Sequence, residues 1–278
     1  MGKRVVFLDI DGTLIYNHGK ITNKVMEAIY KVRDNGHYVF LCTGRNRIGV
    51  SELMDLNCFD GAVCSAGGYI EMNNKKIYEA GMSDEEVRTV REVFERNDVI
   101  YNLEANFQCY QPDEMTKIFT NIIGETHNSE IDRLIEEEKK QFGICSLEEY
   151  DKNPETIQTI CYIANNEDDI KEPQEILSKD FHFLIYQKMN DKIINGEIMK
   201  KGVNKGTGII KVMEQLDLPI ENSIGFGDSM NDLEMIETCG YSVVMANGDD
   251  QLKQLANSIC ESVENDGIYY ELKRLALF

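Results

Sequence analysis

The sequence predicts an α/β fold, a parallel sheet flanked by helices and interrupted by an inserted α+β domain. Three observations predict it. Short apolar runs recur at Arg4–Leu8, Tyr38–Cys42 and Ala62–Ser65; a helical pattern separates the first two; and the character of the chain changes near residue 82 and changes back near 196. Runs that are apolar on both faces belong to strands covered on both sides, which is the habit of parallel sheets.

The elements follow in order. "RVVFL" is a strand that runs into "DIDGT". The helix after it, "ITNKVMEAIYKVRDNG", puts Val25, Ile29 and Val32 on one face and has Gly36 as its stop signal. "YVFLC" is the second strand and leads into Thr43–Arg45, "TGR". The third run is followed by "YIEMNNKKIYE", which reads as a hairpin turning at Asn73–Asn74. Ser83 and Glu86 form a capping-box pattern that opens a helix with Val87, Val90 and Phe94 on one side. Then come the charge-rich helix "EIDRLIEEEKK", whose acids Glu136–Glu138 read as a solvated face, and two strand candidates, "TIQTICYIA" and "FHFLIYQKM". The sheet pattern resumes with a helix from about Asn204, the strand "NSIGFG" at 222–227, a helix to Thr238, the strand "YSVVMA" and a helical tail. The predicted organisation is a core in two halves, 1–81 and 197–278, around an inserted domain at 82–196.

At 278 residues the chain is long enough for two cores. No apolar run approaches the ~18 residues that span a bilayer. The start "MGKRVVFLDI" lacks the apolar region of a signal peptide, and Val6 stands where a myristoylation signal has Ser or Thr, so cytoplasmic residence is expected. Eight cysteines with no CxxC pair, several of them in apolar runs, read as reduced buried thiols. A net charge of −20 argues against nucleic acid or an anionic membrane as partner, and no obligate protein partner is evident. An anionic small molecule needs a local cation to overcome that field.

The candidate chemistry sits at strand ends, where ligands of parallel sheets collect. Asp9 and Asp11 are two carboxylates, one residue apart, on a short loop. A turn needs only one of them. If the strand persists, both lean to one side of its end, where a Mg²⁺ ion would keep Asp9 ionised as a nucleophile and leave Asp11 to shuttle a proton. "GFGDSMNDLEM" brings Asp228, Asn231 and Asp232 to another strand end; Asp228 or Ser229 also suits a helix N-cap there. Thr43 and Gly44 offer a hydroxyl and a backbone N–H for phosphate oxygens, and Arg45 either pairs with an anion or makes a surface ion pair. Lys205 falls in the first turn of its helix, where a cation opposes the macrodipole unless an anion compensates it.

Four motifs in this order, DxDGT at Asp9–Thr13, TGR at Thr43–Arg45, Lys205–Gly206 and GDxxND at Gly227–Asp232, resemble the haloacid dehalogenase (HAD) superfamily of phosphatases. The long insert, with "MANG" at 245–248 and "ENDGI" at 264–268, resembles the Cof-type branch with a large α/β cap. The resemblance implies a Rossmann-like core and a cap that closes over the site. It implies that Asp9 becomes an aspartyl phosphate and that Asp11 is general acid and then base. Mg²⁺ would be bound by Asp9, the Asp11 carbonyl and Asp228, with Asp232 supporting that set; Thr43, Gly44, Lys205 and Asn231 would bind the phosphoryl oxygens. Relatives often carry Asn-Gly after the third strand, where this chain has Ala66 at the asparagine place. The expected function is Mg²⁺-dependent hydrolysis of small phosphomonoesters, sugar phosphates or phosphorylated cofactors. A phosphomutase, or an idle sensor of a phosphorylated metabolite, is the rival expectation.

Overall fold

The structure, a computed structural model, describes residues 2–16, 19–115, 143–185 and 194–278. Two compact units emerge, one of Met1–Arg45, Val50–Glu79 and Asn204–Phe278, the other of Asn46–Gly49 and Ala80–Val203. In chain order the described strands are β1 (Val5–Leu8), β2 (Tyr38–Cys42), β3 (Gly61–Cys64), β4 (Tyr69–Met72), β5 (Lys75–Glu79), β6 (Ile100–Glu104) and β7 (Cys109–Tyr110). They continue as β8 (Ile144–Cys145), β9 (Thr159–Ala164), β10 (Phe181–Ile185), β11 (Ile194–Lys200), β12 (Ser223–Gly227), β13 (Tyr241–Met245) and β14 (Ser258–Cys260). The helices used below are α1 (Asn23–Asp34), α2 (Asp84–Glu95), α3 (Asp168–Leu177), α4 (Lys205–Gln215), α5 (Leu233–Thr238) and α6 (Gly267–Arg274).

The first unit is built on an eight-stranded sheet in the order β14-β13-β12-β1-β2-β3-β4-β5. The first six of these run parallel, and β4 and β5 return antiparallel. Alternation explains why the strands read as continuous apolar runs. Val6, Leu8, Val39 and Leu41 pack with Ala28, Ile29 and Val32 of α1 and Leu272 of α6. Val5, Phe7, Phe40 and Cys42 turn the other way, onto Ile209, Val212 and Met213 of α4 and Met235 of α5. Both faces are dry, so each position of β1 is fully buried. That burial contributes on the order of 1.5–3 kcal/mol per side chain. Such an anchor can carry an unfavourably desolvated group at its end.

Local signals set the element ends. The Thr22 hydroxyl accepts the Val25 N–H at 3.2 Å and caps α1, which ends at Asn35 and Gly36. Asn73 and Asn74, with φ of 52° and 58°, make the hairpin turn between β4 and β5. Ser83 and Glu86 bond reciprocally at the start of α2, and Val87, Val90 and Phe94 are its buried face.

The second unit has a six-stranded sheet, β10-β11-β9-β6-β7-β8. Tyr101, Leu103, Ile160, Tyr162, Ile194 and Ile198 make its apolar face against residues of α2 and α3. The sequence puts the end of the insert at 196, but β11 pairs with β9 as far as Met199 and with β10 as far as Lys200, so the residues to Val203 go with the second unit. Asn46–Gly49 also group with it, the Ile48 N–H donating to the Asn106 carbonyl at 2.9 Å. "EIDRLIEEEKK" with Glu136–Glu138, and the end of "FHFLIYQKM" beyond Ile185, lie outside the described residues. Among the described residues no helix is long and apolar enough to cross a membrane.

Candidate active site

The parallel order β12-β1-β2 puts three motif-bearing strand ends side by side. Leu8 is level with Phe226 on one side and Leu41 on the other, and the Asp9 N–H donates to the Phe226 carbonyl at 3.0 Å. Asp9 therefore leaves the sheet between Asp228 and Thr43. The strand does not persist to Asp11. The N–H groups of Leu14 and Ile15 both donate to the Ile10 carbonyl at 2.9 Å, which bends the chain into a tight loop directly after Asp9. The two carboxylates of "DIDGT" consequently meet different cations.

Asp9 meets Lys205. Asn204 caps α4 by taking the Thr207 N–H at 2.8 Å, and Lys205, the first helical residue, points its side chain inward with 1% exposure. Its Nζ lies 2.7 Å from Asp9 Oδ1 and 2.5 Å from Asp232 Oδ1, and 3.4 Å from Asn231 Oδ1. The compensating anions that the helix start requires are thus Asp9 and Asp232. Asp232 Oδ2 accepts the N–H groups of Asp228 and Ser229 at 2.9 and 3.2 Å, so one carboxylate both pairs the lysine and closes the loop after β12. Ser229 is the N-cap of that loop, in a capping box with Asp232.

Asp228 faces Asp9 from this loop. Thr13 Oγ1 donates to its Oδ1 at 3.0 Å. Gly12, at φ +86°, leaves room for it: a β-carbon there would stand 2.3 Å from Asp228 Oδ2. The Asn247 side chain donates to the Gly12 carbonyl at 2.8 Å and accepts the Val263 N–H at 3.0 Å, tying the two loops together. Sequence reasoning gave Thr13 and Asn247 no role. The signal was present in "MANG", an Asn-Gly in the loop after a strand, as Asp-Gly is in "DIDGT".

Thr43 is buried, its Oγ1 accepting the Arg45 N–H at 3.1 Å, and Gly44 has no heavy atom within 4 Å of where a β-carbon would stand. Arg45 takes the second carboxylate, with Nε 2.9 Å from Asp11 Oδ2 and Nη2 2.5 Å from Oδ1. Behind it the chain after β3 is left-handed at three successive residues, Ser65 and Ala66 at φ 48° and Gly67 at 102°. The Ser65 N–H donates to the Arg45 carbonyl at 2.7 Å and the Ala66 N–H to the Thr43 carbonyl at 3.0 Å. Left-handed backbone costs a non-glycine residue on the order of 1 kcal/mol, and Asn tolerates it better than Ala. Ala66 therefore holds a conformation that an asparagine would adopt at less cost.

The electrostatics ask for a cation. Oxygens of Asp9, Asp228 and Asp232 lie within 4.8 Å of one another. Burial, reinforced by Asp232, pushes the Asp9 carboxyl well above the usual range, with Lys205 pulling the other way. Burial and Asp232 likewise push Asp228 up to about 7, opposed by the Thr13 hydrogen bond. Burial would lower Lys205, but Asp232 and Asp9 carry it well above an ordinary lysine, so it stays charged. Three carboxylates around one lysine are undercompensated, and hard oxygen donors are the set that Mg²⁺ prefers. The residues fit that ion.

Comparison with known proteins finds similarity over nearly the whole chain. The model of a family described as haloacid dehalogenase-like hydrolase matches residues 6–272. The chain is 27% identical over 278 residues to the 5-amino-6-(5-phospho-D-ribitylamino)uracil phosphatase YitU of Bacillus subtilis, covering 97% of this chain and 96% of the relative. It is 25% identical over 276 residues to the pyridoxal phosphate phosphatase YbhA of Escherichia coli, covering 96% and 97%. A solved sugar phosphatase of HAD subclass IIB superposes with a TM-score of 0.74 at 23% identity, covering 99% of this chain and all of the other, a likeness of fold.

Proposed function

The chain belongs to the haloacid dehalogenase-like hydrolases and is a phosphoric monoester hydrolase of that type, and from this premise we propose that it cleaves small phosphorylated metabolites with Mg²⁺ through an aspartyl phosphate on Asp9. The observation that carries the proposal is Lys205, fully buried between Asp9 and Asp232 with Asp228 beside them. A buried lysine fixed on one oxygen of a carboxylate orients the other for attack. It also supplies a positive point for phosphoryl oxygens.

In this mechanism an Asp9 oxygen bonds to phosphorus as the bond from phosphorus to the ester oxygen breaks. Asp11 gives its proton to the departing oxygen. Water then attacks the phosphorus of the aspartyl phosphate, Asp11 takes the water's proton, and phosphate leaves with Asp9 restored. Thr43, Gly44, Lys205 and Asn231 hold the phosphoryl oxygens. Asp9, the Asp11 carbonyl and Asp228 would hold Mg²⁺, and Asp232 keeps Asp228 and Lys205 in place. The bound ion supplies positive charge against the carboxylates and the phosphoryl oxygens. The names of YitU and YbhA support phosphorylated cofactors or their precursors as substrates; sugar phosphates complete the proposed range.

The test is phosphate release from hexose and pentose phosphates, pyridoxal phosphate, FMN and phosphoribitylamino-uracil, with Mg²⁺ and with EDTA, for the wild type and Asp9→Asn. Turnover that requires both the ion and Asp9 is expected. Turnover that survives EDTA or Asp9→Asn overturns the mechanism, and transfer of phosphate without its release indicates a mutase.

A further inference from the structure

We infer that Arg45 is a positioning residue for the proton-transfer step, holding the Asp11 carboxyl in a fixed plane away from Asp9 and the buried acids. The inference rests on the role proposed for Asp11 and goes beyond it, because neither the motif order nor that role calls for a partner.

Three observations carry it. The contact is a fork: Nε and Nη2 of Arg45 each engage a different oxygen of Asp11, at 2.9 and 2.5 Å. A planar guanidinium in this geometry fixes both the position and the rotation of a carboxyl group, which an ammonium cannot do. The backbone of Arg45 is clamped on both sides, its N–H by Thr43 Oγ1 at 3.1 Å and its carbonyl by the Ser65 N–H at 2.7 Å. That second clamp is set by the left-handed Ser65–Ala66–Gly67 segment, so a strained loop is maintained where it fixes Arg45. Lastly, the loop that carries Asp11 is bent away from β1, and Lys205 is committed to Asp9 and Asp232. Arg45 engages Asp11 directly.

The chemistry follows from geometry. A carboxyl group has about four lone-pair sites. The fork leaves others for the proton that Asp11 gives and takes back. Without the fork the group loses the contact that fixes its plane, and with it the orientation in which it meets the departing oxygen. Loss of Arg45 should therefore hurt esters whose departing oxygen needs a proton, and spare much more those whose oxygen leaves as a stable anion.

The test compares kcat/KM on an alkyl phosphate that the enzyme hydrolyses with kcat/KM on p-nitrophenyl phosphate, because this ratio reports events up to the departure of the ester oxygen. Wild type, Arg45→Ala, Arg45→Lys, Asp11→Asn and the Arg45→Ala/Asp11→Asn double variant are measured at saturating Mg²⁺, and their folding is checked by thermal unfolding. Both Arg45 variants should lose on the order of 10- to 100-fold on the alkyl ester, and at least about fivefold less on the nitrophenyl ester. In the Asp11→Asn background, Arg45→Ala should add less than about twofold. Arg45→Lys, which keeps the charge and loses the fork, carries the comparison alone if Arg45→Ala does not fold. Equal losses on both esters, full recovery in Arg45→Lys, or losses that multiply in the double variant overturn the inference. Asp11→Asn losing equally on the two esters removes the role of Asp11 itself, and the proposed mechanism falls with it.

Discussion

Lys205 shows what one residue contributes when, among the described residues, it is the single cation buried with acids. Its amine is 1% exposed and bonded to two carboxylates, of which Asp232 is wholly buried. Removing one partner of a buried ion pair is far costlier than the net worth of the pair, because the remaining charges lose both water and counter-ion. Here two carboxylates are stranded at once. Lys205→Met should therefore lower unfolding free energy by about 3–5 kcal/mol without metal, read from urea denaturation in EDTA, and saturating Mg²⁺ should restore part of the loss. A loss below about 1 kcal/mol would mean that the buried contacts of Lys205 are worth no more than those of an exposed pair. The sequence located this lysine, since a cation at a helix start is a conflict that begs for an anion. It left the partner of Arg45 open, because the bend at Ile10 that separates Asp11 from Asp9 is invisible to a period-two reading of the strand.

Among the elements, the junction of α1 and β2 shows how a connection can respond to pH. His37, in the turn after Gly36, is buried and its Nδ1 accepts the Arg4 N–H at 3.0 Å where the chain enters β1. A protonated imidazole has no acceptor to offer. Burial first, then the nearby Arg4 side chain, hold its pKa below the ordinary 6.5. The folded chain thus binds fewer protons than the unfolded one between that lowered pKa and 6.5, so stability is present above this window and is lost as pH falls through it. Melting temperature should drop from about pH 7.5 to about pH 5.5, and His37→Gln, which keeps an acceptor, should flatten the drop; an unaltered slope in the variant assigns it to other groups. Elements were legible where burial is two-sided. β1, β2 and β3 stand within a residue of their sequence bounds because nothing but an interior strand is apolar at every position. β14 was missed: it is three residues at a sheet edge with Ile259 55% exposed, which carries no period. β11 was missed because Gly196 interrupts "INGEIMK" and reads as a break, whereas a β-carbon there would stand 2.3 Å from Tyr162 Oη of the neighbouring strand.

At the scale of the molecule, the charge of the site and the charge of the chain oppose one another. Asp9, Asp228 and Asp232 face Lys205, three carboxylates against one ammonium, so one divalent cation brings this buried cluster to neutrality. A neutral site inside a chain of net charge −20 attracts a phosphate dianion only at close range. At longer range the chain repels it. The Debye length shrinks from roughly 30 Å at 0.01 M salt to roughly 8 Å at 0.15 M, so added salt removes the long-range repulsion and leaves the short-range contacts nearly whole. With Mg²⁺ held saturating, kcat/KM for a dianionic ester should therefore rise at least about twofold between those salt concentrations, while kcat at saturating ester stays constant. The direction is what matters, since an enzyme that steers its anionic substrate through a basic funnel loses kcat/KM with salt. A fall here would mean that Lys205, Arg45 and the metal project a positive field beyond the site despite the acidic chain, and the balance of three buried acids against one lysine would have to be redrawn.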